Sequence, residues 1–329
     1  MNNLLTVKKL RTTLSSQNRK IRAVRNVSFD LKPGETLGIV GESGCGKSIM
    51  AKTITRLLPR LTAEVESGEV LYRGEDLLSK SEAEMRATRG KEISMIFQDP
   101  MTSLNPTMKI GKQIAEGYRL HHPKATSEEV YTRVIELLNQ VGIPQPEARY
   151  NQYPHELSGG MRQRVMIAIA MIAKPHILIA DEPTTALDVT IQAQILELLK
   201  AIQKKENMSI ILITHDFSIV SNFCDRVLVM YAGEIIEVAT VDQLFNSPKH
   251  PYTRRLLHSI PRLDTPIGKA LYTIQGSPPD LASITPGCSF QNRCPNAEER
   301  CRREKPPCLS IEEGHFASCF LYKKGAKNE

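Results

Sequence analysis

Residues 41–48 read Gly41-Glu42-Ser43-Gly44-Cys45-Gly46-Lys47-Ser48, and no other stretch limits the possible folds as strongly. The run follows Thr36-Leu37-Gly38-Ile39-Val40, patterned as a buried strand, and precedes Ile49-Met50-Ala51-Lys52-Thr53-Ile54, patterned as the start of a helix. Strand, glycine-rich turn, Gly-Lys-Ser and helix together make a P-loop. Glycines let successive backbone amides turn inward around phosphate oxygens. The helix that follows aims its positive end at the same anion. The whole run from Gly41 to Ser48 is therefore expected to contact a nucleotide, with Lys47 reaching the β- and γ-phosphates and the Ser48 hydroxyl holding Mg²⁺. Cys45 is expected to be a small filler of the loop, not a reactive thiol.

The chain has 329 residues, enough for one large domain or two smaller ones. Its net charge of +7 is moderate, its lysines and arginines are spread along the chain, and it has no Trp. A basic surface that stacks bases is not indicated, so nucleic acid is not an expected partner. No apolar run approaches the ~18–20 residues that span a bilayer. The opening Met1-Asn2-Asn3-Leu4 lacks the pattern of a signal peptide. The expectation is a cytoplasmic protein whose link to a membrane comes through partners.

Residues 4–31 alternate apolar and polar in short runs, with 23–31 patterned as strand and Lys32-Pro33-Gly34-Glu35 as a turn. An antiparallel edge sheet is expected ahead of the P-loop strand. Residues 67–75 read as strand and turn, and Ile93-Ser94-Met95-Ile96-Phe97 as a buried strand ending at Gln98-Asp99-Pro100. From 110 to 141 apolar residues recur at helical spacing, among them Val130, Val134, Leu137, Leu138 and Val141. This block reads as a helical insertion between two parts of an α/β core.

Leu157-Ser158-Gly159-Gly160-Met161-Arg162-Gln163 leads into another helix. Ser158 suits an N-cap, and Gly159 and Gly160 leave amides uncovered for an anion. Ile177-Leu178-Ile179-Ala180 is a buried strand ending in Asp181-Glu182-Pro183. An acid at a strand end in a P-loop protein suits a Mg²⁺-holding carboxylate, and the adjoining Glu182 is placed to polarise an attacking water. Thr184 to Asp188 forms a loop, residues 191–202 an amphipathic helix, and Ser209-Ile210-Ile211-Leu212-Ile213-Thr214 a strand ending at His215.

In order and spacing, these residues resemble the ATP-binding subunits of ABC transporters over about residues 4–241. The resemblance supplies a Walker A (41–48), a Q-loop (Gln98), a signature (157–163), a Walker B with its glutamate (Asp181, Glu182), a D-loop (Ala186-Leu187-Asp188) and a switch histidine (His215). It implies an α/β P-loop ATPase core with an antiparallel β subdomain and a helical subdomain at about 100–172. It also implies that two such domains sandwich two ATP molecules head to tail. One chain gives its P-loop, and its neighbour presents Ser158, Gly159 and Gly160 to the γ-phosphate. By the same resemblance the catalytic residues are Glu182, as base or water-orienting group, His215, which senses or stabilises the γ-phosphate, and Gln98, which links the Mg²⁺ and water site to the helical block that passes closure on to a membrane subunit; Ser48, Gln98 and Asp181 hold Mg²⁺, with Asp188 near the nucleotide. The family places an aromatic residue on adenine where this chain has Leu14, and no Phe, Tyr or Trp precedes Phe29.

Residues 245–257, Phe-Asn-Ser-Pro-Lys-His-Pro-Tyr-Thr-Arg-Arg-Leu-Leu, resemble the opening of the C-terminal extension of oligopeptide and dipeptide importer ATPases, which nickel and metal-chelate importers share. An extension over 242–329 is expected. Five of the seven cysteines lie there. Cys288, Cys294, Cys301 and Cys319 follow the spacing C-x5-C-x6-C-x17-C, with Cys308 left over. Spacing alone leaves a cluster, zinc and free thiols open, with His315 as a possible fourth zinc ligand. The resemblance ranks a [4Fe–4S] cluster first. We expect it to staple a proline-rich tail with little core of its own, so that Cys294→Ser loosens the tail and leaves the P-loop intact.

The resemblance further implies a peripheral protein on the cytoplasmic face of the cell membrane. Its partners would be a second, homologous ATP-binding subunit, two membrane-spanning permeases and an extracytoplasmic substrate-binding protein. Peptide import is the leading function, and uptake of nickel or another metal chelate is the alternative, since no residue here separates them. A soluble ABC ATPase of translation or repair is disfavoured by the single P-loop, the short helical block and the cysteine tail. A nucleotide-binding regulator without hydrolysis is disfavoured by Asp181 and Glu182.

Overall fold

A computed structural model of the chain describes residues 3–16, 19–185, 187–260 and 274–322. Ala186 of the expected D-loop lies outside them. The chain forms two compact units, one from Met1–Leu31, Thr36–Leu78 and Thr214–Glu329, the other from Lys32–Glu35 and Ser79–Ile213.

In the first unit, strands Leu5–Ser16 and Arg19–Leu31 pair antiparallel with Leu5 opposite Leu31 and Leu14 opposite Ile21. Strand Ala63–Tyr72 pairs with the other edge of Leu5–Ser16, placing Ala63 opposite Leu14. This is the expected antiparallel sheet, with strands longer than the sequence pattern suggests. The P-loop strand Thr36–Val40 is buried along its whole length and runs parallel to Arg226–Tyr231. Continuous apolar runs suit strands covered on both faces. Arg226–Tyr231 turns back into Glu234–Thr240, which pairs with His315–Ala317, which pairs with Leu309–Glu312. The last two strands come from the C-terminal extension.

The extension also shares the core of this unit. Tyr252 and Phe290 are buried with Val40, Val227, Val229 and Tyr231. The rings of Tyr231, Tyr252 and Phe290 lie 4.6–5.3 Å apart, in tilted and edge-on arrangements that aromatic pairs favour. The tail's aromatic side chains thus complete the core of this unit.

In the second unit, strands Ile93–Ile96, Ile177–Asp181 and Ser209–Thr214 run parallel and are fully buried, with Ile93 opposite Ile177 and Ile177 opposite Ser209. The helical block is two helices, Ile110–His121 and Ser127–Gln140. Pro123 cannot continue the first helix, and Thr126 with Glu129 closes a capping box on the second. Buried Val130, Val134, Leu137 and Leu138 form its inner stripe. Helix Gly159–Met171 begins at Ser158, whose side chain accepts from the Met161 amide. Helix Val189–Glu206 begins at Asp188, whose carboxylate accepts from the Ile191 amide, and it ends at Asn207 in the left-handed conformation.

Candidate functional site

The P-loop turns tightly against its own unit. Gly46 has φ +106°, and a Cβ there would stand 2.2 Å from the Ala23 carbonyl oxygen. A Cβ at Gly41 would stand 2.2 Å from the Met230 carbonyl oxygen. Both positions therefore demand glycine on steric grounds. Lys47, buried at the start of helix Lys47–Ile54, donates through Nζ to the carbonyls of Gly41 (2.8 Å) and Glu42 (3.0 Å). Its ammonium thus sits inside the loop. The Cys45 thiol is buried 3.7 Å from that ammonium, and burial raises its pKa despite the nearby charge. Ser48 follows Lys47 in the first turn, half-buried. Gly46→Ala is expected to abolish measurable ATP binding, because the loop must open by more than an ångström to admit the methyl group. Titration with a fluorescent ATP analogue checks this, alongside a melting curve to show that the fold survives.

The second unit brings Gln98 and Glu182 together. Asp181 is buried at the end of its strand, and the next residue, Glu182, adopts φ +48°, a region that non-glycine residues enter at a cost. The Glu182 amide donates to the Ile213 carbonyl at 2.9 Å, which holds the turn. Its carboxylate Oε2 accepts from Gln98 Nε2 at 2.9 Å and from Thr185 Oγ1 at 3.0 Å. Two donors from different loops thus aim one carboxylate. Sequence reading did not single out Thr185; its hydroxyl three residues after a turn acid was the available signal. Gly159 is exposed and Gly160 partly exposed beside the capped helix start, and Asp188 is used as a helix cap. His215 is exposed at the end of strand Ser209–Thr214 and belongs to the first unit.

In the extension Cys288, Cys294, Cys301 and Cys319 line one cavity, together with His250, Phe290 and Phe320. Cys308 is exposed and is not among the lining residues. The Cys288 amide donates to the Cys301 carbonyl at 2.8 Å, tying two of the four together. Burial pushes the Cys288 thiol up to about 11 and raises Cys294 and Cys319, each also raised by the neighbouring cysteines. Among the described residues no group of three His, Cys, Asp or Glu is disposed to hold a single metal ion.

His315 does not join this cavity, which corrects its expected role as a substitute zinc ligand. It is fully buried, and its Nε2 bonds Glu237 Oε1 at 2.8 Å. Glu237 is also fully buried and accepts from the Lys249 amide (2.6 Å) and the His250 amide (2.9 Å). Burial alone would raise this carboxyl, but the His315 and amide hydrogen bonds outweigh it and hold its pKa below the ordinary carboxylate value. His250, wholly buried, is pushed down to about 4 and stays neutral at physiological pH.

The extension also reaches the P-loop. Arg293, next to Cys294, donates to both carboxylate oxygens of Glu42, at 2.6 and 2.8 Å. The Tyr252 hydroxyl accepts from the Glu42 amide at 2.9 Å. The tail thus holds Glu42 of the P-loop by side chain and by backbone.

Comparison with known proteins agrees with this geometry. A family model described as ABC transporter matches residues 24–185, and one described as oligopeptide/dipeptide transporter, C-terminal region, matches residues 236–301. The dipeptide transport ATP-binding protein DppD of Bacillus subtilis is 51% identical over 328 residues, covering 100% of this chain and 97% of that one. The oligopeptide transport ATP-binding protein OppD of the same organism is 52% identical, covering 97% and 88%. DppD of Lactococcus lactis is 50% identical, covering 97% and 90%. Among solved structures, a dimeric post-hydrolysis state of the ATP-binding cassette MJ0796 bound to ADP and Pi matches with TM-score 0.65 and 28% identity. It covers 72% of this chain and 98% of that one. With a P-loop built as the sequence requires and relatives matching almost end to end, the chain belongs to the ABC transporter family, among the ATP-binding proteins with an oligopeptide/dipeptide transporter C-terminal region.

Proposed function

We propose that this chain is the ATP-hydrolysing, energy-coupling subunit of an importer for dipeptides or oligopeptides. The observation that carries the reading is the Gln98–Glu182–Thr185 constellation in a chain whose P-loop closes around Lys47. ATP would lie between the P-loop of one chain and the Ser158-Gly159-Gly160 helix start of a neighbouring ATP-binding subunit, this chain's own kind or a homologue. Glu182 would take a proton from the attacking water as its oxygen bonds to the γ-phosphorus, while the bond from that phosphorus to the β–γ bridging oxygen breaks. Gln98 and Thr185 would keep the carboxylate aimed. Lys47 and the uncovered amides would neutralise charge on the phosphoryl oxygens, which is most of what this reaction requires. Ser48, Gln98 and Asp181 would supply oxygen ligands of the kind Mg²⁺ takes, and the ion would supply positive charge to the phosphoryl oxygens. His215 would bond the γ-phosphate.

Among the described residues no helix is long and apolar enough to cross a membrane. Attachment to the cytoplasmic face of the cell membrane would run through two permease subunits, fed by an extracytoplasmic binding protein. Purification from detergent-solubilised membranes, followed by peptide uptake in vesicles, tests this. Recovery of permeases with ATP-dependent uptake of peptides is expected, and uptake of metal chelates alone would overturn the peptide assignment.

Four cysteines on one cavity fit a [4Fe–4S] cluster in donor type and number. Bound there, it would cross-link 288–319 without taking part in hydrolysis. Partial burial raises the thiol pKa of Cys288, Cys294 and Cys319, so loading would release protons and should weaken as pH falls. Anaerobically purified protein is expected to be brown and to contain iron and labile sulfide, and Cys294→Ser should lose both. A colourless preparation with stoichiometric zinc would refute the cluster.

A further inference from the structure

Outside the nucleotide motifs, the first unit holds a cation with many partners, Arg293. Its side chain is 5% exposed. It donates from two nitrogens to the two oxygens of Glu42, from a third to the Gln275 carbonyl at 3.1 Å, and again to the Tyr231 hydroxyl at 3.3 Å. A planar guanidinium fork meeting both oxygens of a carboxylate fixes orientation as well as distance. The Glu42 contact, with the help of Tyr231, raises the Arg293 pKa further above its already high value.

Glu42 is the second residue of the P-loop, and each of its three polar groups is held. Its carboxylate is gripped by Arg293, its amide bonds the Tyr252 hydroxyl, and its carbonyl accepts from Lys47 Nζ. Arg293 and Lys47 are therefore joined through one residue. Shifting Glu42 moves the carbonyl that seats the Lys47 ammonium. It also moves Gly41, where the loop runs so close to the Met230 carbonyl that a Cβ would stand 2.2 Å from its oxygen.

The geometry points to Arg293 as a positioning residue of the nucleotide site: the C-terminal extension, through Arg293 on Glu42, sets the P-loop conformation that binds ATP. This rests on the reading of residues 41–48 as the phosphate-binding loop. The effect falls on binding more than on the chemical step, because Arg293 is tied to the loop and not to Glu182.

The test uses the purified full chain, a fluorescent ATP analogue and steady-state ATP turnover. Arg293→Ala is expected to weaken nucleotide affinity and raise KM by ~10- to 100-fold, the range for a displaced active-site element, with much less change in kcat. Arg293→Lys, a point charge without the fork, should fall between wild type and Arg293→Ala. Glu42→Ala alone should resemble Arg293→Ala, and the double variant should be little worse than either, since both remove one interaction. Wild-type affinity in Arg293→Ala, or strictly additive losses in the double variant, would overturn the inference. Equal losses in kcat and affinity, tracking a lowered melting temperature across all variants, would also overturn it by reducing Arg293 to a general structural residue. If Arg293→Ala proves too unstable to assay, Arg293→Lys and Glu42→Gln decide by the same KM-against-kcat split. Lys47→Ala serves as the separate control. Retained nucleotide affinity there would sink the phosphate-loop reading itself, whatever the Arg293 series does.

Discussion

Glu182→Gln should slow ATP turnover by ~10²–10⁴-fold, the usual contribution of a positioned general base, while Mg-ATP still binds. The substitution is chosen because it preserves shape. Glu182 Oε2 accepts from Gln98 and from Thr185. A glutamine carbonyl oxygen in that place can accept from both, so the side chain keeps its aim and loses only its capacity to take a proton. The φ of +48° at this residue is borne by the turn, which the Glu182 amide anchors to Ile213, so the backbone has no reason to relax. Phosphate release measured beside nucleotide affinity separates the two effects. Wild-type hydrolysis in Glu182→Gln would remove Glu182 from the reaction. A matched loss of affinity would instead make it a binding group. Gln98→Ala should give a smaller loss in kcat, because Thr185 still holds the same oxygen.

The largest effect on stability is expected at Glu237. Removing one partner of a buried, hydrogen-bonded charge leaves the others unpaired, at a cost of ~3–5 kcal/mol. In Glu237→Ala, the buried His315 and the amides of Lys249 and His250 lose their common acceptor. These groups join strand Glu234–Thr240 to strand His315–Ala317 and to the start of helix Pro251–His258, so the extension should come away first. A melting transition lowered by on the order of 10 °C is the expected size for such a loss. The pH dependence has a definite sign. The folded carboxyl titrates below its ordinary value of 4.5, so its stabilisation is present in full above that value. It is lost as pH falls through the lower, folded value. The stability difference between wild type and Glu237→Gln, from urea midpoints, should therefore shrink in acid. A difference that stays constant from neutral pH down to pH ~3 would show that the carboxylate is not held in its charged form.

What could be read from the sequence was what is built from neighbours in the chain. The P-loop is one strand, one turn and one helix in succession, and Asp181 and Glu182 end a strand whose apolar run announces itself. The Ser158 cap and the helical stripe of Val130, Val134, Leu137 and Leu138 are local in the same sense. The break at Pro123 was legible but easily lost inside a long stretch of helical spacing. What escaped was set by contacts distant in the chain. Arg293 lies 251 residues from Glu42, and no periodicity says where one arginine among many will land. Strands Leu309–Glu312 and His315–Ala317 are too short to carry an alternating pattern. They exist because strand Glu234–Thr240 offers an edge to pair with. His315 looked like a metal ligand because it stands near the cysteines in the chain, whereas the fold buries it against Glu237. The cysteine spacing picked out the four residues that line the cavity, but gave no hint that the segment between them reaches the P-loop.

In the proposed arrangement, ATP is clamped between the P-loop of one chain and the Ser158 helix start of a neighbour. The most direct measurement is the mass in solution of Glu182→Gln, alone and mixed with any ATP-binding subunit that co-purifies with it, in Mg-ATP and in Mg-ADP. Paired chains should form with Mg-ATP only, and adding Ser158→Glu, which sets a negative charge against the γ-phosphate, should return them to single chains. Full-affinity ATP binding by a single chain, with a mass unchanged by nucleotide and by Ser158→Glu, would contradict it.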